Sequence, residues 1–477
     1  MIDSSDITQL SAVAMAGLFR AGELSPTEAL EAVLDRMDEL EPEVNSFFTR
    51  TTDLARSEAL ASEARFRAGE PLTMMDGVPY SIKDLDATKG IRTTYGIPAT
   101  KDFIPDADTS VVERLRSAGG SLLGKTSAPH IGYKDSSENM LFPATKNPWN
   151  LSRNPGGSSS GAAAAVAARF GPIAHGSDGA GSIRIPAGLC GVVGFKPTVG
   201  RIPVWPAGFY AGTTVHNGPI TRTVEDAAMM TDIMAGPDER DPSSQYPLPQ
   251  GGFLANLTSE TVTGLRFGVT KDLGYGATAA EVGDAVVKAA ELLTAYGHTV
   301  AEGHPGFRDP GPTQESRWNS LMASRFTHDL KAHPEHFDET LTAIVHAGEE
   351  ASALSVWSYE KMRGEMHDKL VAFFHDFDYL ITPSMPMGAW HRDTYPTEVD
   401  GKPLPGGGVL ARAYLLWPFN FTGNSAITIP CGLTAEGMPI GIHVVGKMQD
   451  DLGVLRVAKQ LEELIAFSDL APVTDRG

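Results

Sequence analysis

Cysteine is nearly absent: the 477 residues include two, Cys190 and Cys431. They lie far apart, with neither the paired spacing of a zinc site nor the numbers of a disulfide framework, and both are expected as small buried hydrophobes. Long apolar runs are missing too. No stretch approaches the roughly eighteen apolar residues of a membrane span, and the N-terminus, MIDSSDITQL, opens acidic with no apolar segment behind it. A soluble, cytoplasmic, non-membrane protein is therefore expected. Basic charge is in deficit, 39 Lys and Arg against 59 Asp and Glu, for a formal net charge of −20. Phosphate-backbone binding gathers cations on one face, so no nucleic-acid partner is expected. Dispersed acids such as Glu23, Glu28, Glu31 and Asp35 read as a solvated surface. Low-complexity segments are also lacking, the 50 glycines and 33 prolines being spread along the whole chain.

What is present is enough apolar material, 42% of residues, for a large buried core. Residues 25–40 open with Ser25-Pro26-Thr27-Glu28, an N-cap, a proline at the first helical position and an acid at the capping-box position. Ala29, Leu30, Val33, Leu34 and Met37 follow at helical spacing, and predict an amphipathic helix. Short apolar stretches near residues 78–85, 121–124 and 191–195 are bounded by glycine or proline, as strands are. They alternate with helical patterns at 109–118 and 224–234, which makes the fold class α/β. The polar, proline-rich segment 236–252, GPDERDPSSQYPLPQGG, is read as a surface crossing within one large domain. No fixed-period repeat is apparent.

The chemistry concentrates in residues 154–200. Gly156-Gly157-Ser158-Ser159-Ser160-Gly161 and Ser177-Asp178-Gly179-Ala180-Gly181-Ser182 are two serine-bearing glycine loops flanking one Ala-rich, helix-like segment. A nucleophilic serine needs an exposed hydroxyl, backbone N–H groups for the developing oxyanion, and a base. Gly179, Ala180 and Gly181 are small enough for their backbone to approach a substrate carbonyl, and Ser182 stands at the end of that loop. Neither loop holds a histidine, and His175, at the end of a strand-like 172–174, is the weaker candidate base. A lysine serves if desolvation lowers its pKa, and Lys83 in the apolar GVPYSIKDL meets that requirement. Its neighbour Asp84 is expected on the other side of the strand.

Together DGVPYSIKDL, NPGGSSSGAAAAVAA, GSDGAGSIRIPAGLCGVVGFKPTVGR and GPITRTVEDAA resemble the amidase-signature family, closely over residues 70–235. The likeness continues more loosely through FDYLITPSMP and PFNFTGNSAITIPCGLTAEGMPIGIHVVG. The resemblance implies a single domain over residues 1–477, built on a large mixed, twisted sheet covered by helices on both faces, with 70–235 as the core carrying the catalytic residues. It also implies a Ser–cis-Ser–Lys triad. Ser182 is then the acyl-enzyme nucleophile, Ser158 after a cis Gly157–Ser158 peptide the bridging hydroxyl, and Lys83 the base, while Gly179, Ala180 and Gly181 face the oxyanion and substrate. The implied partner is a small-molecule amide, with no cofactor and no metal; a homodimer is left open. This chain departs from the family in having Gly179-Ala180-Gly181 for the commoner Thr-Gly-Gly, and Ser127 for a frequent Asn. Asp178 and Arg184, beside the nucleophile, are expected to brace its loop.

Other patterns compete. GGSLLGKT, residues 119–126, satisfies the P-loop pattern, but it follows a helical segment and itself looks like a strand, which is the wrong context. Ser358-Tyr359-Glu360-Lys361 has the S-x-x-K spacing of penicillin-recognising enzymes without any KTG, and reads as a solvated helix face. The alternative within the resemblance is a glutamine-hydrolysing amidase subunit of a tRNA-dependent amidotransferase. That subunit uses an Asp shortly before its Pro-Xaa-Asn segment, whereas residues 411–418, ARAYLLWP, contain no acid. Trp205, Phe209 and Tyr210, with Tyr414, Trp417 and Phe419, are aromatics available for an apolar or aryl acyl pocket.

Overall fold

The helix anticipated after Ser25 runs Pro26–Val44 in the computed structural model, which describes residues 4–206, 214–258, 262–469 and 471–472. Its capping box is closed in both directions: the Glu28 N–H donates to Ser25 Oγ at 3.1 Å, and the Ser25 N–H donates to Glu28 Oε2 at 2.8 Å. The buried stripe Leu30, Val33, Leu34 and Met37 packs on Ala164, Ala165 and Phe170, which belong to the segment between the two serine loops.

Eleven strands form one sheet. In chain order they are β1 (Phe47–Arg50), β2 (Pro79–Lys83), β3 (Ser121–Thr126), β4 (Ile173–Asp178), β5 (Val193–Lys196), β6 (His216–Thr221), β7 (Arg266–Val269), β8 (Thr299–Glu302), β9 (Tyr379–Pro383), β10 (Ala426–Leu433) and β11 (Pro439–Val445). Their order across the sheet is β1-β3-β2-β4-β6-β5-β10-β11-β9-β7-β8. The sheet is mixed. β2 lies parallel to both β3 and β4, and β7 parallel to β8 and β9, whereas β4–β6, β5–β6, β5–β10, β10–β11 and β9–β11 are antiparallel. Every residue of β2, β3 and β9 is buried. Successive side chains point to opposite faces, so the sheet is covered on both at these strands, and polar members such as Ser81, Lys83, Lys125 and Thr382 are buried along with the apolar ones.

The fold differs from the sequence expectations at Asp84 and Cys431. Asp84 lies just past the end of β2, where its carboxylate accepts from Thr94 N and Oγ1 at 2.8 and 2.6 Å. Cys190 is buried, but Cys431 is only half-buried, at a register shift between Pro430 and Gly432 where β10 leaves the core. The P-loop look-alike is strand β3 itself, and its Lys125 turns into the interior onto Thr88 and Thr93. Ser358 and Lys361 are exposed on the helix Ala353–Asp376, with Lys361 Nζ 3.8 Å from Glu365. Segment 236–250 carries no helix or strand; it is pinned by Asp241, which accepts from Val204 N at 2.8 Å, and by Arg201, which donates to Pro247 O at 2.7 Å. Among the described residues, no helix is long and apolar enough to cross a membrane.

Candidate active site

Strands β2 and β4 run side by side in parallel, so their C-terminal ends open at the same edge, where open α/β sheets place ligands. Lys83 ends β2. Its Nζ donates to Ser158 Oγ at 2.8 Å and to Ser177 O, near the end of β4, at 3.1 Å. The side chain is wholly buried, and that burial draws its pKa down to about 7, against the opposing pull of Asp86 and Asp178. Two further lysines are equally buried but reach other groups. Lys125 meets Thr88, Thr93 and the Asp86 carbonyl, while Lys196 meets the carbonyls of Pro197 and Asn424.

The two glycine loops are stitched together by the Ser159 N–H, which donates to Ser182 O at 3.1 Å. Between them runs the fully buried helix Ser160–Ala167, whose alanines let it lie close to the sheet. The Gly157–Ser158 peptide is cis. Residue 157 must be glycine, because a Cβ there would stand 2.5 Å from Ser136 O. Ser158 is almost completely buried and Ser182 half-buried, and both line one cavity of about 310 Å3.

Asp178 and Arg184 do brace the Ser182 loop. The Asp178 carboxylate accepts from Gly181 N at 2.6 Å, Ile183 N at 3.2 Å and Arg184 Nε at 2.9 Å. Arg184 also donates to Leu416 O at 3.0 Å and Asn420 Oδ1 at 2.7 Å, and Asn420 Nδ2 returns to Asp178 Oδ1 at 2.8 Å. Burial works to raise the Asp178 pKa, but Arg184 and Asn420 outweigh it and hold the carboxyl well below the usual range. Asp178→Ala would strand a buried guanidinium and two backbone N–H groups, so a loss of about 3–5 kcal/mol in urea unfolding is expected. A loss below about 1 kcal/mol would contradict this bracing role.

Gly181 departs from its expected role. Its N–H is already donated to Asp178, and its α-carbon faces Ile185 and Leu416, so it does not line the cavity. Gly179 and Ala180 do line it, and among the described residues their N–H groups have no protein acceptor. His175 sits inside β4, its Nε2 3.2 Å from Asn217 Oδ1, and burial lowers its pKa.

One side of the cavity is apolar, formed by Ile131, Trp205, Trp318, Leu321, Met322 and Leu410, while Asp86, Lys134, Asp135 and Arg325 line it as well. Of the aromatics anticipated for it, Trp205 is there. Tyr414 and Phe419 are buried in the core instead, Trp417 lines a neighbouring cavity, and Phe209 and Tyr210 fall outside the described residues. Sequence reasoning missed Trp318, Leu321, Met322 and Arg325, which share one face of the helix Gly311–Ala332. Their spacing is a usable signal for a helix, though not for what the face meets. Among the described residues, His333, Glu335 and His336 are the group placed closely enough to hold a metal ion, on a largely exposed turn.

The amidase family model matches residues 28–455. An acylamidase from Rhodococcus erythropolis is 37% identical over 97% of this chain and 97% of its own length. A glutamyl-tRNA(Gln) amidotransferase subunit from Prochlorococcus marinus is 33% identical over 94% of this chain and 96% of its own. Among solved structures, a bacterial aryl acylamidase of the amidase-signature family superposes with a TM-score of 0.89 at 30% identity, covering 98% of this chain and 99% of that one. With the family model spanning most of the sequence and these relatives matched nearly end to end, the chain belongs to the amidase family of amidase-signature enzymes.

Proposed function

We propose that this protein is an amidohydrolase that cleaves a carboxylic amide with an apolar or aryl group, through an acyl-enzyme on Ser182. The observation that carries the reading is the 2.8 Å contact between the buried Lys83 and Ser158, which lines the same cavity as Ser182. A lysine with a pKa near 7 is half neutral at neutral pH, and a neutral amine accepts a proton along the same contact.

In this mechanism Ser182 Oγ attacks the carbonyl carbon and gives its proton to Ser158 Oγ, while the Ser158 proton passes to Lys83 Nζ. The N–H groups of Gly179 and Ala180 receive the oxyanion. The C–N bond breaks as the proton returns from Lys83 through Ser158 to the departing nitrogen. Water then attacks the ester through the same relay, releasing the acid and restoring Ser182. No step asks for a cofactor or a metal.

The whole chain, 1–477, acts in this reading as one domain with residues 70–235 carrying the triad, in the cytoplasm, on small-molecule amides. Assembly as a homodimer is compatible with it. The apolar side of the cavity supports binding of the apolar or aryl group by area burial. A glutamine-hydrolysing component of an amidotransferase is less well supported: residues 411–418 hold no carboxylate, and their Arg412 is engaged by Asp135 at 2.8 Å. A hydrolysis screen decides. Aryl amides, small aliphatic amides, glutamine, asparagine and 4-nitrophenyl esters are compared by kcat/KM, with aryl amides expected to exceed glutamine by at least about tenfold. Preference for glutamine, with aryl amides untouched, would overturn the apolar-pocket reading and favour the amidotransferase one.

A further inference from the structure

Beside the cavity that holds Ser182 lies a larger one, about 690 Å3, and Lys134, Trp318 and Leu410 line both. The two are neighbouring compartments with a common wall. Into the larger one the helix Gly311–Ala332 turns Gln314, one turn before Trp318. Gln314 is 2% exposed, yet among the described residues neither its Oε1 nor its Nε2 has a hydrogen-bond partner, and the Trp318 indole N–H lacks one as well. Buried polar atoms are almost always satisfied, so unpaired ones facing a cavity mark where a partner from outside is accommodated.

The chemistry of that partner is constrained. A primary amide offers a donor and an acceptor in one plane, and its complement is a second amide, or a carbamate or urea that presents the same pair. The cations in the lining are already engaged, Lys134 by Glu138 and Asp338 and Arg412 by Asp135, while Glu315 and Glu339 make no ion pair among the described residues. This balance disfavours an anionic ligand and suits a neutral one with N–H donors.

We propose that the larger cavity is a second substrate compartment, in which Gln314 hydrogen-bonds an unreacting second amide of an extended substrate. It rests on the reading of Ser182 as the nucleophile of an amidohydrolase. The enzyme is thereby fitted to molecules with two amide groups, one cleaved at Ser182 and one held across the Trp318 wall.

The test compares Gln314→Leu with the unaltered enzyme on three substrates. 4-Nitroacetanilide has one amide, N-acetylalanine 4-nitroanilide carries a second on the acyl side, and 4-acetamidobenzamide carries one on the amine side. For at least one extended substrate, kcat/KM relative to 4-nitroacetanilide should fall about tenfold, the factor typical of one lost hydrogen bond. Both ratios staying within about twofold would overturn the proposal and leave the cavity to water. Ala343→Trp, at an exposed position on the cavity lining, should lower the same ratio by filling the compartment from its mouth, and guards against misfolding of the first variant. Calorimetric binding of the two extended amides to Ser182→Ala, with and without Gln314→Leu, separates this proposal from the catalytic one. Weakening of about tenfold supports the compartment even if nothing is hydrolysed, and equal affinities for both proteins reject it.

Discussion

Ser182→Ala is expected to abolish amide hydrolysis, with kcat falling at least about 10⁴-fold, while the unfolding midpoint shifts by no more than about 2 °C. The two halves of this expectation have separate causes. The chemical half follows, in the proposed mechanism, from removing the only protein atom that bonds to the acyl carbon, after which the Lys83–Ser158 pair has no serine nucleophile to deprotonate. The structural half follows from where the loop gets its shape. Asp178 fixes it through the N–H groups of Gly181 and Ile183, and Arg184 and Asn420 fix Asp178, none of which involves the Ser182 hydroxyl. Single-turnover release of 4-nitroaniline, read beside a thermal melt, checks both. A folded variant that still turns over at a tenth of the original rate would remove Ser182 from the nucleophile's role.

The bracing network also explains why sequence so far apart bears on one loop. Asn420, from Pro418-Phe419-Asn420, donates to the Asp178 carboxylate and to the Asp178 carbonyl at 3.0 Å. Arg184 spans from the same carboxylate to Leu416. The C-terminal part of the chain thus shapes the Ser182 loop through buried hydrogen bonds to its scaffold. A buried guanidinium surrounded by the Asp178 carboxylate, the Leu416 carbonyl, the Asn420 amide oxygen and His443 Nε2 is satisfied only when all of them are present.

Local rules suffice wherever one segment decides its own structure. Ser25 to Glu28 announces a capped helix because the cap is built from four consecutive residues, and residues 79–83 announce a buried strand because both faces need apolar cover. Lys83 is legible for a related reason: a lysine inside such a run has to end up desolvated, and burial is what lowers its pKa. Features that depend on packing between distant segments are not legible. Tyr414 and Phe419 look the same in sequence as pocket aromatics, and only the tertiary arrangement sends them to the core. Trp318 is the converse case, since helical spacing cannot say whether a face meets other side chains or a void. Proximity to Ser182 points to the Gly181 N–H as an oxyanion donor, but an aspartate three residues earlier claims it, and Gly179 and Ala180 remain as the donors facing the cavity.

Lys83→Met and Ser158→Ala should each cut kcat/KM about 10³-fold or more, and the double variant should lose no more than about tenfold beyond the worse single one. Residues that pass one proton in series fail together, since a relay broken at Lys83 gains nothing from an intact Ser158. Methionine keeps the volume of the buried side chain, so the comparison is not confounded by a cavity. The pH dependence supplies the sign. Burial puts the Lys83 pKa at about 7, and the base must be neutral, so kcat/KM for a neutral amide should fall tenfold per unit below about pH 7 and level off above it. The residual activity of Lys83→Met should lack that inflection, because the group that titrates is gone. Losses that multiply across the two sites would mean that Lys83 and Ser158 act independently. An inflection that survives in Lys83→Met would move the base elsewhere, with His175, which sits inside β4 with its Nε2 toward Asn217, the next residue to replace.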